Sequence, residues 1–301
     1  MDDRPWTGDY GLQDYKTMDD RPETVGEALE TARRVLRLHS ETAALDAQVL
    51  LAHILAKPRT WVLIHPEARL TLSQQDALRA ALARLREGTP LPYVLGAWEF
   101  YGRSFDVGPE ALIPRPETEH LVEAALDWLR ARPGVRLAAD AGTGTGCIAV
   151  TLAAERPSLR LVAADISPAA LHLARRNARR HNVASRLDFL RADLLTAFAP
   201  RSLPLICANL PYIPTGTLRR LEVYGREPTL ALDGGADGLE LIRRLLAQAE
   251  TRLALGGLLL LEIAASQGES APRAARKVFP RARIDLLPDL AGHPRLLRIQ
   301  T

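Results

Sequence analysis

Asn209-Leu210-Pro211-Tyr212 follows the apolar run Leu205-Ile206-Cys207-Ala208, which ends abruptly in the polar amide of Asn209. A short apolar run that stops this way reads as a buried parallel strand, and Pro211 and Pro214 stiffen the loop that follows. Ligands of open α/β sheets lie outside the carboxyl ends of the strands, so Asn209 is expected to face one. Its side chain and the following carbonyls can hold an NH₂ group by both hydrogens, while Tyr212 offers an aromatic wall. The plainer reading is a strand end with a turn-forming Asn and Pro. Other motifs in the chain weigh against it.

Asp140-Ala141-Gly142-Thr143-Gly144-Thr145-Gly146 makes a DxGxGxG turn between an expected strand at 135–139 and a helix at 147–154. Missing Cβ atoms allow a ligand to approach the backbone closely. The glycines at 142, 144 and 146 lack the G-x-G-x-x-G spacing of a dinucleotide site, which argues against a nicotinamide cofactor. Asp140 favours a ligand bearing an amino group over a pyrophosphate. Asp165, ending the next strand, has the position from which a carboxylate accepts both ribose hydroxyls. Asp193 ends a third strand, where it can accept from an adenine amino group, and Leu194 can pack on the base. An adenosine without phosphates that carries an amino acid is S-adenosylmethionine, the cofactor these positions point to.

These residues need a rigid frame. The chain has 301 residues, 47% hydrophobic and 25% charged, enough for one large and one small globular domain. No apolar run approaches the ~20 residues that span a bilayer, and the acidic start with Trp6 and Tyr10 is unlike a signal peptide. Cys147 and Cys207 lack metal-ligand spacing and are expected as reduced, buried thiols of a cytoplasmic protein. His39, His53 and His65 share no ligand spacing either, so no metal is expected. A net charge of +3 is weak evidence for nucleic acid, and none is expected as a partner.

In chain order, Met1-Asp2-Asp3-Arg4-Pro5 recurs as Met18-Asp19-Asp20-Arg21-Pro22, and residues 1–22 are expected to be disordered, with Met18 as an alternative start. Residues 23–88 read as a small helical bundle. Thr24 and Glu27 form a capping box, a second helix covers 41–55, and Ser73 caps a third that ends before Gly88. The bundle carries no catalytic cluster and is either structural or a docking module. Residues 89–116 read as a linker with a β-hairpin around Gly102, closed by Pro114-Arg115-Pro116. Arg115 and Glu117 are expected to line a cleft there. From 117 to 301, a helix over 117–130 is followed by alternating strands and helices, which implies a parallel sheet. Further strands are expected at 159–164, 186–190, 258–264, 283–287 and 296–299. Ser167-Pro168 starts a helix that runs to about His181, and later helices fall within 234–253 and 266–278.

Several segments together resemble the PrmC/HemK family, methyltransferases that modify the glutamine of the Gly-Gly-Gln tripeptide in peptide chain release factors. They are Pro92-Tyr93-Val94-Leu95-Gly96, Trp98-Glu99-Phe100-Tyr101-Gly102 and Ile113-Pro114-Arg115-Pro116-Glu117-Thr118-Glu119. The likeness continues through 140–146, the Asn209 loop, Glu227-Pro228, 233–239 and Leu261-Glu262-Ile263 to about Gly292. It implies a helical N-terminal domain, a hairpin linker and a seven-strand, Rossmann-like methyltransferase domain; the chain is expected to be a monomer. It also implies that 142–146 and Asp165 bind S-adenosylmethionine, that Asn209 touches it, and that Asn209 to Tyr212 hold the substrate glutamine. Leu210 stands where the family has Pro, and Thr229 where it usually has Arg. Only a backbone carbonyl is required at the first of these, and Leu supplies one.

The same loop serves enzymes that methylate amino groups of nucleobases, but those need a base-recognition module or a basic, aromatic cleft. A sister family that methylates a ribosomal-protein glutamine carries Pro-Arg-Ser-Pro where this chain has Pro114-Arg115-Pro116-Glu117. A degenerate binding module would show a damaged glycine turn or a lost Asn209; both motifs are intact.

Overall fold

The computed structural model describes residues 24–38 and 40–301. The extension expected to be disordered at 1–22, the choice between Met1 and Met18, and His39 all lie outside the described residues. The chain divides into two compact units, one ending at Leu91 and the other running from Pro92 to Thr301.

In the first unit, the Thr24 hydroxyl accepts from Glu27 N at 3.3 Å while Glu27 Oε2 accepts from Thr24 N at 3.2 Å. This reciprocal cap starts α1 (Val25–Leu36). α2 (Ala43–Leu55) ends on Ala56 in the left-handed conformation, and Pro58 caps the short α3 (Arg59–Ile64). α4 (Leu72–Arg86) is capped by Thr71, two residues before the expected Ser73. A capping box needs its Gln three residues after the cap, and Thr71 and Gln74 satisfy each other's backbone N–H. Val35, Leu50, Leu51 and Leu82 are among the side chains that form this unit's interior. His53 is exposed, and His65 stacks on Trp61 with ring centroids 4.5 Å apart.

The one-turn α5 (Leu91–Leu95) precedes a hairpin of β1 (Ala97–Phe100) and β2 (Arg103–Asp106). Its two turn residues, Tyr101 and Gly102, both have positive φ, which suits the twist of a two-residue hairpin loop. α6 (Glu117–Arg130) then leads to β3 (Leu137–Ala141), α7 (Cys147–Glu155), β4 (Arg160–Asp165), α8 (Pro168–Arg180), β5 (Leu187–Arg191) and β6 (Leu203–Ala208). After these come α9 (Thr215–Leu218), α10 (Glu240–Arg252), β7 (Leu253–Glu262), α11 (Ser270–Val278), β8 (Arg283–Pro288) and β9 (Pro294–Gln300).

The seven strands make one sheet in the order β5-β4-β3-β6-β7-β9-β8. β9 runs antiparallel to both neighbours, so the sheet, parallel from β5 to β7 as the alternation implies, is mixed at its other edge. Side chains alternate between the faces. Leu205, Cys207, Leu258 and Leu260 pack with Leu121, Ile148 and Leu152 on one side. Ile206, Ala208, Leu259 and Leu261 pack with Leu245 and Leu246 on the other. β3 starts two residues later than expected, so Asp140 and Ala141 belong to the strand and the turn begins at Gly142. Gly256 and Gly257 lie inside β7, not before it: Leu203 pairs with Leu253 and Leu205 with Leu258, and the surplus residues bulge.

Candidate active site

β3 is central. β4 and β5 extend from it in one direction, and β6 and β7 in the other. The order reverses between β3 and β6, where an open α/β sheet leaves a crevice at its carboxyl edge. The glycine turn leaves β3 at this point and the Asn209 loop leaves β6. A cleft of about 210 Å³ opens there, lined by Gly142, Gly144, Asp165, Asp193, Leu194 and the loop residues Asn209, Leu210 and Pro211. A larger groove of about 610 Å³ between α11 and β8 contains none of the expected site residues.

Gly142, Gly144 and Gly146 all have positive φ, and the N–H groups of Gly142 and Thr143 both donate to Ala164 O, at 2.8 and 3.0 Å. Asp165 braces the turn: Oδ2 accepts from Gly144 N and Oδ1 from Ser167 N, each at 2.9 Å. Burial raises its pKa, and those backbone N–H groups oppose the rise. Asp140 does not line the cleft. It is fully buried behind the turn, where Oδ2 accepts from Thr143 Oγ1 at 2.6 Å and Oδ1 has no partner. Burial pushes its carboxyl up to about 7. Thr143 and Thr145 are buried, and Gly146 caps α7, so these three shape the turn from behind. Asp193 lines the cleft with its carboxylate ion-paired to Arg244 of α10. Leu194 has positive φ and is nearly buried in the cleft wall.

Asn209 Nδ2 donates to Thr118 Oγ1 at 2.9 Å, and that hydroxyl donates to Glu262 Oε2 at 2.7 Å. The parallel register explains the meeting. Ala208 pairs with Leu261, so Asn209 and Glu262 leave adjacent strands side by side, and Thr118 enters from the first turn of α6. Burial pushes Glu262 up to about 7, although the hydrogen bond from Thr118 and the charge of Arg295 pull it down. Tyr212 is pushed up to about 12, first by burial and then by Glu262, so its phenol keeps its proton. The loop is further clamped by Gln267, whose Nε2 donates to Tyr212 O at 3.1 Å and Gly238 O at 2.9 Å. A Cβ at Gly234 would lie 2.8 Å from Pro211 O and Tyr212 Cα, so only glycine lets the 233–238 segment lie against the loop.

Arg115 and Glu117 lie outside the cleft lining. Arg115 is ion-paired to the buried Glu227, whose Oε2 also accepts from Ile113 N at 3.0 Å. This ties the Ala111–Leu112 wall to the Pro228–Ala231 wall. Glu117 is exposed in the first turn of α6. Thr229 is exposed, and its carbonyl accepts from Leu232 N and Asp233 N.

Sequence reasoning missed Thr118, Glu262 as a site residue, and Arg244. It also missed Asn177, fully buried on α8, which accepts from Asp106 N at 2.7 Å and donates to Thr145 O at 2.9 Å. Asn177 thereby joins the hairpin to the glycine turn. A polar residue on the apolar face of an amphipathic helix was the available signal for it. Both cysteines are free and buried, with thiols raised by that burial. Among the described residues no cluster of His, Cys, Asp or Glu could hold a metal ion, and no helix is long and apolar enough to cross a membrane.

The PrmC N-terminal domain model matches residues 27–96 and the Methyltransferase small domain model residues 120–221. The chain is 41% identical over 274 residues to the release factor glutamine methyltransferase of Moorella thermoacetica, covering 90% of this chain and 96% of that one. It is 44% identical over 267 residues to the corresponding protein of Cereibacter sphaeroides, covering 85% and 91%. Among solved structures, the hMettl16 catalytic domain in complex with an RNA hairpin superposes with a TM-score of 0.52 at 15% identity, over 75% of this chain and 81% of that one. At that identity the likeness concerns the fold alone.

Proposed function

Because the chain belongs to the release factor glutamine methyltransferase family, we propose that it methylates the side-chain amide nitrogen of the glutamine in the Gly-Gly-Gln motif of peptide chain release factors. The methyl donor is S-adenosylmethionine. The observation that carries this reading is the orientation of Asn209, whose NH₂ is committed to Thr118. Its Oδ1 is left as an acceptor at the cleft.

An amide nitrogen is a poor nucleophile because its lone pair is delocalised into the carbonyl. Asn209 Oδ1 and the Leu210 carbonyl grip both amide hydrogens and aim the nitrogen, which turns an encounter into a held geometry. The same acceptors stabilise positive charge as it grows on nitrogen. Tyr212 lies outside the cleft lining, where the expected aromatic wall is not formed, and anchors the loop through its carbonyl to Gln267. The cleft lining has no His or Lys, so the loop's task is to grip and orient.

The cleft suits the donor. Bare glycine backbone at 142 and 144 admits close approach, and the Asp165 carboxylate keeps lone pairs for hydroxyl donors. Ile166 and Leu194 give apolar faces for a base. Asp140, buried behind the turn, supports the cleft through the Thr143 hydroxyl that it holds. When bound, S-adenosylmethionine supplies an electrophilic methyl group on a sulfonium. Asp193 reaches the base only if it shares its carboxylate with Arg244.

The helical unit, matched by the PrmC N-terminal domain model, serves as the docking surface for the protein substrate. The chain works as a monomer in the cytoplasm, a compartment its two buried free thiols suit, and its net charge of +3 gives little attraction to nucleic acid. The test is incubation of the pure protein with methyl-labelled S-adenosylmethionine and, separately, release factor, ribosomes and DNA. Label on the release-factor glutamine is expected. Label on ribosomal protein or DNA alone rejects the reading.

A further inference from the structure

An Asn side chain can present either its oxygen or its NH₂ to a site, and only the oxygen can accept hydrogens from a substrate amide. The choice at Asn209 is made outside the cleft. Thr118 is 2% exposed and its hydroxyl carries one hydrogen, which it donates to Glu262 Oε2. The hydroxyl therefore meets Asn209 with a lone pair, and Asn209 must answer with its NH₂. Glu262 is 1% exposed, between the apolar Leu261 and Ile263. A carboxylate there is costly for packing, so its value lies in being an acceptor that never donates when ionised.

We propose that Thr118 and Glu262 are positioning residues that set the polarity of the catalytic amide, holding Asn209 with Oδ1 toward the substrate. The carboxylate ending β7 fixes the Thr118 hydroxyl, and the hydroxyl fixes the loop's first residue. Tyr212, the loop's last residue, has its phenol raised by burial and then by the charge of the same carboxylate. Arg295 and Glu117 are the other charged groups that act on Glu262. The inference rests on the reading of Asn209 as the residue that grips the substrate amide.

The test reverses the cascade. In Asn209→Asp a carboxylate meets the Thr118 lone pair, and one hydroxyl hydrogen cannot serve two carboxylates. Adding Glu262→Gln supplies an NH₂ that can donate to Thr118, which frees its hydrogen for the introduced carboxylate and leaves the other oxygen facing the substrate. Single-turnover methylation of release factor by Asn209→Asp/Glu262→Gln is expected to be at least ~10-fold faster than by Asn209→Asp alone. Thr118→Val should lower kcat by ~10- to 100-fold with little change in KM or cofactor affinity, and Thr118→Ser should restore it. A double variant no faster than Asn209→Asp, or wild-type kcat in Thr118→Val, overturns the proposal.

Side-chain amide NMR reads the orientation whatever the acceptor. The Asn209 NH₂ resonances should shift and exchange faster with water in Thr118→Val, and be recovered in Thr118→Ser. Unchanged resonances also overturn the proposal, whereas a wild-type protein that ignores release factor rejects only the functional reading.

Discussion

The Leu210 side chain occupies the space over Gly142: a Cβ built on that glycine would stand 2.9 Å from Leu210 Cδ2. The residue that departs from the family's Pro thus packs the Asn209 loop against the glycine turn. Gly142→Ala meets both this contact and a φ of +75°, and is expected to weaken S-adenosylmethionine binding at least ~10-fold. Leu210→Pro keeps the carbonyl and should retain activity within ~10-fold, because the residue before Pro211 already favours extended backbone. Gly142→Ala/Leu210→Pro should bind better than Gly142→Ala alone, as the colliding methyl is gone. Calorimetric cofactor titrations of the three variants check this; equal affinities for the first and last would remove the contact from the explanation.

Asn209→Ala deletes one of the two acceptors proposed for the substrate amide and leaves the glycine turn and Asp165 intact. Losing one preorganised contact at a reacting centre costs about 3 kcal/mol, or ~100-fold in rate. Cofactor affinity should fall much less. Wild-type single-turnover rates in this variant would take the centre out of the functional reading.

The rate should depend on pH through Glu262, which burial pushes up to about 7. Ionised, it only accepts. Protonated, it can donate to Thr118 and turn the hydroxyl hydrogen toward Asn209, the wrong polarity for the grip. Methyl transfer is therefore expected to rise as pH increases through about 7, and Glu262→Gln should lose that limb. Asp140, also pushed up to about 7, still titrates in the variant, so a limb that survives belongs to Asp140.

Stability should move the opposite way. An unfolded chain releases the Glu262 proton near its ordinary value of 4.5, while the fold holds it to about 7. The fold binds more protons between those values, so this group's contribution is most favourable at or below about pH 4.5 and declines until about pH 7. The decline is about 3 kcal/mol as an upper figure. Relative to wild type, Glu262→Gln should therefore gain in Tm between pH 5 and pH 8. The same offset at both pH values would mean that Glu262 ionises as an ordinary carboxyl.

A truncated chain beginning at Pro92 keeps every residue that lines the cleft. It should bind S-adenosylmethionine as the full chain does but methylate intact release factor with a raised KM. Unchanged kcat/KM would reject the docking role of the helical unit.

The local parts of this protein are written in its sequence because each depends on neighbours a few residues away. The Thr24–Glu27 box, the Ser167-Pro168 helix start and the hairpin turn at Gly102 follow from capping and turn chemistry. The alternation of apolar runs set strand identity, and the rule that ligands gather at strand ends placed Gly142, Asp165 and Asn209 at one edge. Pattern reading failed where two local solutions compete, as at Thr71 and Ser73, or where the sheet extends a strand, as at Asp140. Tertiary structure alone decided which groups meet. Thr118 precedes Asn209 by 91 residues in the chain, and there it resembles any polar residue in a helix's first turn. Glu262 looks like the polar end of an apolar strand. Only the Ala208–Leu261 register, with α6 packed over the sheet, brings Asn209, Thr118 and Glu262 within hydrogen-bond reach. The sequence singles out the Asn209 amide; strand pairing determines which way that amide faces.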